Sequence, residues 1–127
     1  MSDMIHEFDP LIYPRKVWVA VGVPHSEIGA MFPDVYPLDE SDEASVIHTR
    51  RLKPDVKAGV LIRFQNRKAA TVATIAHESA HAAMEIFGYI GAKVDLENQE
   101  PFSYLCGWIA GCIDEVLKSK KKRNDRT

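Results

Sequence analysis

The sequence of 127 residues lacks the features that mark several protein classes. It has only two cysteines, Cys106 and Cys112, which are too few for the disulfide framework of a small secreted domain. It has no apolar run of about 20 residues, so we expect no membrane-spanning helix. The N-terminal residues MSDMIHEFDP lack the basic and then apolar layout of a signal peptide. These absences predict a cytoplasmic protein that has no membrane partner.

The chain also lacks a large net charge. Its 16 Lys and Arg residues against 18 Asp and Glu residues leave a formal charge of -2, which provides no overall positive field to attract nucleic acid. Hydrophobic residues make up 46% of the chain and charged residues 27%, the composition of an ordinary folded domain. We therefore expect a single domain over residues 1–117, a basic, flexible tail over residues 118–127, and no nucleic acid among the partners.

Proline is rare in the second half of the chain, and the local pattern changes with it. Up to residue 64, runs rich in β-branched residues predict three strands, at residues 16–23, 45–50 and 56–64. From residue 68 to 87, apolar residues recur at helical spacing, and Gly88 stands where a glycine ends a helix. A second helical stripe begins near Pro101 and continues to residue 117. Together these patterns predict an α+β fold with a small, mostly antiparallel sheet packed on the first helix.

The first predicted helix contains the pattern HExxH, formed by His77, Glu78 and His81. Four residues along a helix turn about 400° and rise about 6 Å, so both imidazoles lie on one face at a separation that one metal ion can bridge. Neutral imidazole nitrogen suits Zn2+. Glu78 lies beside such an ion, where its carboxylate can take the proton of a zinc-activated water. The pattern therefore predicts a zinc site, the alternative being a metal-free helix with two surface or hydrogen-bonded histidines.

The third zinc ligand is open on this reasoning. A catalytic zinc usually has three protein ligands and one open position. The carboxylates that follow in the sequence are Asp95, Glu97 and Glu100. Glu100 shares a helix face with Tyr104 and lies in the first turn of the second helix, where the helix dipole favours a carboxylate. A helix start displaced by one position would exchange Glu100 for Glu97 or Asp95, so all three remain candidates.

Two segments, TVATIAHESAHAAMEIFG and NQEPFSYLCGWIAG, together resemble the minimal gluzincins, small single-domain HExxH metallopeptidases of bacteria, phages and mobile elements. The resemblance implies a zincin-like fold in which a second helix carries the third ligand, and by it Glu100 joins His77 and His81. It further implies hydrolysis of peptide or protein substrates with Glu78 as general base. In such folds a strand before the HExxH helix forms the edge of the cleft, and VLIRF at residues 60–64 is in the matching place.

A different class of function is also compatible with the sequence. A zinc-stabilised module could bind protein or nucleic acid without turnover, and Glu78→Gln separates the two hypotheses because it would abolish only hydrolysis. A metzincin is excluded, because the extended pattern HExxHxxGxxH is absent.

The remaining histidines and the cysteines are expected to have ordinary structural roles. Cys106 and Cys112 fall on the apolar stripe of the second helix and are expected to be buried thiols. His6, His25 and His48 lie outside the helices and are expected at the surface or in turns.

Overall fold

A four-stranded sheet carries one short helix on one face and two longer helices on the other. The computed structural model describes residues 5–125, with side chains up to residue 119. The expected α+β class is confirmed. Residues 118–125 of the predicted tail belong to α3, and residues 126–127 lie outside the described residues. In chain order the elements are β1 (Ile5–Phe8), β2 (Lys16–Val21), α1 (His25–Met31), β3 (Ala44–Arg51), β4 (Lys57–Phe64), a 3₁₀ helix (Arg67–Ala69), α2 (Val72–Ile90) and α3 (Glu100–Asp125).

The strand order is β1-β2-β4-β3, so β2 and β4 are central and β3 is an edge strand. β1 runs antiparallel to β2, and β3 runs antiparallel to β4, but the central β2–β4 pair is parallel, which makes the sheet mixed. This order corrects the prediction for the segment VLIRF. Its residues lie in β4, between two other strands, because β2 pairs with the side of β4 that β3 leaves free. The strand at the edge near α2 is β3.

Both central strands bury side chains on both faces of the sheet. Because side chains alternate along a strand, Val17 and Val19 of β2 pack under α2 and α3, whereas Trp18 packs toward α1. Val60 and Ile62 of β4 repeat this arrangement in register beside them. The hydrophobic cluster under α2 and α3 contains most of the large buried side chains, and these two helices form its outer layer. The core therefore fixes α2 against the sheet.

The three predicted strands are confirmed, with small shifts of their ends, and three short elements were missed: β1, α1 and the 3₁₀ helix. β1 is four residues long, and α1 is seven residues long with a single buried side chain, Ile28. Neither is long enough to produce a clear periodic pattern. Both are stabilised mainly by contacts with residues that are distant in sequence, such as Trp18 and Leu61.

The limits of α2 differ from those expected at both ends. The helix begins at Val72 rather than near residue 68, because the Thr71 hydroxyl accepts a hydrogen bond from the Thr74 amide and caps the first turn. The predicted stop at Gly88 is wrong, since α2 continues to Ile90 and is capped by Gly91, whose φ of 77° is left-handed. The Ala92 amide donates to the Phe87 carbonyl at 2.9 Å, which completes a Schellman motif there. Within residues 5–125, no helix has an apolar stretch that could cross a membrane.

Candidate metal centre

The HExxH residues lie in the middle of α2, on the border between its buried and exposed faces. Ala82, Ala83 and Ile86 face the core, and this packing fixes the rotation of the helix. His77 and His81 are exposed as a result, one helical turn apart on the same face. The sequence prediction that this pattern lies on a helix with its histidines on one face is confirmed.

The two imidazoles lie close enough to share one ion. The Nε2 atoms of His77 and His81 are 3.2 Å apart, and the rings are inclined by 74° with centroids 4.7 Å apart. Zinc–nitrogen bonds of about 2.0–2.1 Å at a tetrahedral angle place two nitrogen ligands about 3.3 Å apart. A hydrogen bond between one protonated and one unprotonated ring nitrogen also accounts for the distance. The donor atoms therefore suit zinc in type and spacing, and a metal-free pair remains the alternative.

Glu78 differs from both histidines because its side chain is almost buried. The residue is only 8% exposed, yet it lines the cleft at the surface of α2. Within the described part of the chain, no group forms a hydrogen bond or an ion pair with its carboxylate. Its carboxylate oxygens are not among the fully buried atoms of the described chain that lack a hydrogen-bond partner, so water or a cation in the cleft can reach them. Glu78 therefore contributes an unpaired carboxylate to the same cleft as the two imidazoles.

The cleft lies between α2 and the edge strand β3 and has a volume of about 570 Å³. His77, Glu78 and His81 line one wall, and Ala44, Val46 and His48 of β3 contribute to the other. A second, adjoining depression of about 380 Å³ extends the cleft along the loop before β3. The candidate site is thus an open groove bounded by an edge strand.

The free edge of β3 presents backbone groups to this groove. The Gln65 amide donates to the Glu43 carbonyl at 2.8 Å, and Ala44 is opposite Phe64 in the antiparallel pair. With this register, the backbone groups of residues 43, 45, 47, 49 and 51 face β4, and those of residues 44, 46, 48 and 50 point away from it. The outward-facing set remains available for another strand, because β3 is the last strand of the sheet in the described chain.

The carboxylates predicted as third ligands lie near the far end of α2. Glu100 is the first residue of α3, whose Phe102 ring packs on Phe87 with centroids 5.5 Å apart. Phe87 is six residues beyond His81, which is about 9 Å along the helix axis. Among the described side chains, no group of three His, Cys, Asp or Glu residues could hold a metal ion. The structure therefore brings the two histidines together but does not bring Glu100 to them.

The other residues near Glu100 are occupied locally or exposed. Asp95 accepts a hydrogen bond from the Glu97 amide at 2.9 Å, which stabilises the turn before α3. Tyr104 is 74% exposed, and within residues 5–125 its hydroxyl makes no hydrogen bond to Glu100. In the described part of the chain, neither residue forms a hydrogen bond with the histidines.

A further pair of side chains in the cleft was not predicted from the sequence. Glu85, four residues after His81, lies 3.2 Å from Nδ1 of His48 across the groove. Both residues line the cleft with the histidines. The helical spacing of Glu85 from His81 was a usable signal, but the approach of His48 was not, because it depends on where β3 lies. His48, expected to be an ordinary surface or turn histidine, is instead a residue of the candidate site.

The two cysteines lie away from the cleft. Cys112 is buried and Cys106 is half-buried, and both thiols are free. Burial, with a smaller contribution from the charge of Glu115, raises the pKa of Cys112 to about 12. Burial also raises the pKa of Cys106. Both thiols therefore stay protonated at neutral pH, which agrees with their expected place on the apolar stripe of α3.

Comparison with known proteins adds no relative to this description. No protein-family model matches the chain, and neither a curated protein nor a solved structure matches it. The resemblance to minimal gluzincins is therefore carried by the residues of the two segments alone. The geometry of the cleft is the remaining basis for a functional proposal.

Proposed function

We propose that this protein is a zinc-dependent hydrolase that cleaves peptide bonds. The observation that carries the proposal is the arrangement of His77 and His81, with Nε2 atoms 3.2 Å apart, in one cleft with Glu78, whose carboxylate has no partner among the described residues. Two neutral imidazoles would hold the ion, and a zinc ion so held activates water and polarises a carbonyl. This chemistry needs a proton acceptor next to the ion but not bound to it, and Glu78 would supply that group.

Glu78 has the surroundings that a general base requires. Its carboxylate lines the open cleft, yet within the described residues no lysine, arginine or backbone amide holds it. It is therefore available to take a proton from water and to pass that proton to the departing amine nitrogen. Without this transfer the amine is a poor leaving group, so the base is expected to contribute about 10²–10⁴-fold to the rate.

An extended peptide is the substrate that the groove would accept. The outward-facing backbone groups of residues 44, 46, 48 and 50 could pair with a peptide strand laid along β3. Such a strand would pass in front of the HExxH face of α2, because β3 and α2 form the two walls of the cleft. Backbone pairing depends little on side chains, so it favours an unfolded segment over a folded domain.

The third ligand requires a separate decision between residues. Glu100 is the position that the resemblance implies, and it lies in the first turn of α3. Glu85 is the competing carboxylate, because it lines the same cleft one helical turn beyond His81. We propose Glu100 as the ligand on the resemblance alone, since the structure does not bring it to the histidines, and Glu85 then orients His48 through their hydrogen bond.

Metal analysis of single variants tests the proposal. We expect about one zinc per chain in the wild-type protein purified without chelator, and strong loss of zinc in His77→Ala, His81→Ala and Glu100→Ala. Glu78→Gln, Glu85→Ala and Glu97→Ala should retain zinc. Loss of zinc in Glu85→Ala but not in Glu100→Ala would reassign the third ligand. A wild-type protein without zinc would refute the metal site itself.

Hydrolysis of an unfolded protein such as casein tests the chemistry. We expect the zinc-loaded wild type to cleave casein and Glu78→Gln to lose about 10²–10⁴-fold in rate while it keeps zinc. Glu40→Gln, which removes an exposed carboxylate outside the cleft, is the matched control and should cleave as the wild type does. Zinc binding without cleavage by the wild type would instead favour the zinc-stabilised binding module.

A further inference from the structure

A second pocket lies on the other side of the sheet, under α1, and its chemistry differs from that of the cleft. Its volume is about 250 Å³, and its lining includes Gly22, His25, Arg63 and Gln65. It opens beyond Val21 and Phe64, where the parallel strands β2 and β4 end. The space outside the carboxyl ends of parallel strands is a frequent ligand position in sheets that carry helices.

Arg63 is the notable residue of this pocket, because it is a buried cation without an anion. The residue is 9% exposed. Its Nε donates to the Ser45 hydroxyl at 3.1 Å, and its Nη1 donates to the Tyr36 carbonyl at 2.7 Å. Both acceptors are neutral, and in residues 5–125 no carboxylate forms an ion pair with this guanidinium. A guanidinium has five N–H donors, so three remain after these two bonds.

The other buried arginine shows what a compensated site looks like in this protein. Arg51 is 7% exposed, and its guanidinium forms ion pairs with the carboxylates of Glu7 and Asp55. A buried charge that lacks such partners is costly, whereas one with good partners is tolerated. Burial lowers the pKa of Arg63 from its usual range, as expected when nothing offsets the loss of solvent. Arg63 thus has two neutral acceptors where Arg51 has two carboxylates.

The acidic loop that borders the pocket does not supply an anion for Arg63. The loop before β3 contains Asp39, whose carboxylate accepts hydrogen bonds from the Ser41 amide and hydroxyl at 3.0 Å each. Gln65 holds this loop by donating to the Asp39 and Asp42 carbonyls. The loop thus approaches the pocket with its backbone, and its described carboxylates form no ion pair with Arg63.

We propose that this pocket binds the oxyanion group of a small molecule, a phosphate or a carboxylate, through the free N–H donors of Arg63. The planar guanidinium can donate two parallel hydrogen bonds to two oxygens of one such group. The limited volume admits the anionic group and a few further atoms. The site lies on the opposite face of the sheet from the histidines, so it does not depend on the proposed hydrolase activity.

Titration of the full chain with inorganic phosphate and with acetate, at constant ionic strength set by sodium chloride, tests the proposal. We expect the amide signals of Gly22 and Gln65 and the Arg63 Nε–H signal to shift in NMR spectra. The anion that binds more tightly, phosphate or acetate, identifies the chemical group of the ligand. The proposal would be overturned if neither anion shifted these signals. It would also be overturned if the shifts were spread over exposed Lys and Arg residues instead of being confined to the pocket.

Variants give the second arm of the test. Arg63→Gln should weaken binding of the stronger anion at least tenfold, whereas Lys68→Gln, which removes an exposed positive charge, should leave the affinity unchanged. Arg63→Lys keeps the charge but not the planar donor pair, and it should bind more weakly than the wild type. Equal weakening in Lys68→Gln and Arg63→Gln would overturn the site. If Arg63→Gln fails to fold, the wild-type NMR titration and Arg63→Lys still decide the question.

Discussion

At the scale of single residues, Glu78 combines two properties that work against each other. The residue is only 8% exposed, and its carboxylate meets the cleft without a partner in the described chain, which suits a base but leaves the charge less solvated than at an open surface. We expect Glu78→Gln to raise the free energy of unfolding of the metal-free protein by about 1 kcal/mol, because it removes a buried charge and keeps the shape. Urea denaturation in the presence of EDTA measures this, with Glu40→Gln as the control. A Glu78→Gln protein less stable than that control would contradict the account.

Glu7 is a carboxylate in the opposite situation, with three polar partners. Burial alone would raise its pKa, but hydrogen bonds from Trp18 and Lys57 and the charge of Arg51 outweigh burial and lower the pKa below 4.5. A pKa lowered by folding means that the ionised form stabilises the folded state above about pH 4.5, and that this contribution is lost as the pH falls through the lowered value.

The acid sensitivity of the fold therefore depends in part on Glu7. We expect Glu7→Gln to cost about 1–3 kcal/mol in free energy of unfolding at pH 7, because hydrogen bonds to a charged group are lost. At pH 3 the difference from the wild type should become smaller. Urea denaturation at both pH values measures it. A difference that is the same at both pH values would show that the charge of Glu7 contributes nothing.

At the scale of elements, the parallel contact between β2 and β4 depends on a glycine. Gly59 lies opposite Lys16, and a Cβ added to it would approach the Lys16 carbonyl oxygen to 2.1 Å. Because that atom belongs to the backbone of a central strand, it cannot move aside as a flexible side chain could. We expect Gly59→Ala to destabilise the protein by about 3 kcal/mol or more, as overpacking does.

A second glycine provides the matched control for this substitution. Gly107 lies on the exposed side of α3, where an added Cβ meets nothing within 4 Å. Gly107→Ala should stabilise the protein by about 0.5–1 kcal/mol, because alanine favours a helix more than glycine does. Thermal unfolding of both variants measures the pair. A mild effect of Gly59→Ala would mean that β2 and β4 can separate locally at low cost.

The elements also show what a single sequence can and cannot predict. Long periodic segments such as α2 were predicted, because their own apolar spacing specifies them. The end of α2 was misplaced, because the sequence alone gives no reason to prefer Gly91 over Gly88 as the C-terminal glycine. The hydrogen bond from the Ala92 amide to the Phe87 carbonyl, which selects Gly91, is visible only in the structure. Strand order was not predictable either, because the parallel pairing of β2 with β4 joins residues far apart in the chain.

The candidate site divides in the same way. His77, Glu78 and His81 were predicted because their spacing lies within one helix. The contact of His48 with Glu85 joins residues 37 positions apart and required the packing of β3 beside α2. The position of the third ligand was not predictable either, because core contacts such as that of Phe87 with Phe102 determine how α3 packs on α2. Spacing predicts chemistry within an element, whereas packing between elements decides the rest.

At the scale of the whole molecule, the two hydrophobic clusters share the same central strands. Trp18 is fully buried in the cluster under α1, and its neighbours Val17 and Val19 belong to the cluster under α2 and α3. Losing one cluster would therefore expose the strands that support the other. We expect a single cooperative unfolding transition.

Two spectroscopic signals can check this cooperativity. In a Trp108→Phe variant, fluorescence reports on Trp18 alone, while far-UV circular dichroism reports mainly on α2 and α3. Both signals should change at the same urea concentration. An earlier loss of Trp18 fluorescence would show that the α1 side unfolds independently of the helix pair.

The position of β1 has a practical consequence for handling the protein. β1 forms the border of the sheet opposite β3 and is held there by Glu7, which bonds with Trp18 and Lys57. Three strand spacings, about 14 Å, separate the two borders. An affinity tag or a fluorophore joined ahead of Ile5 would therefore attach on the side remote from the groove. Immobilisation on a sensor chip through that end would leave the histidine-bearing wall facing the flowing solution.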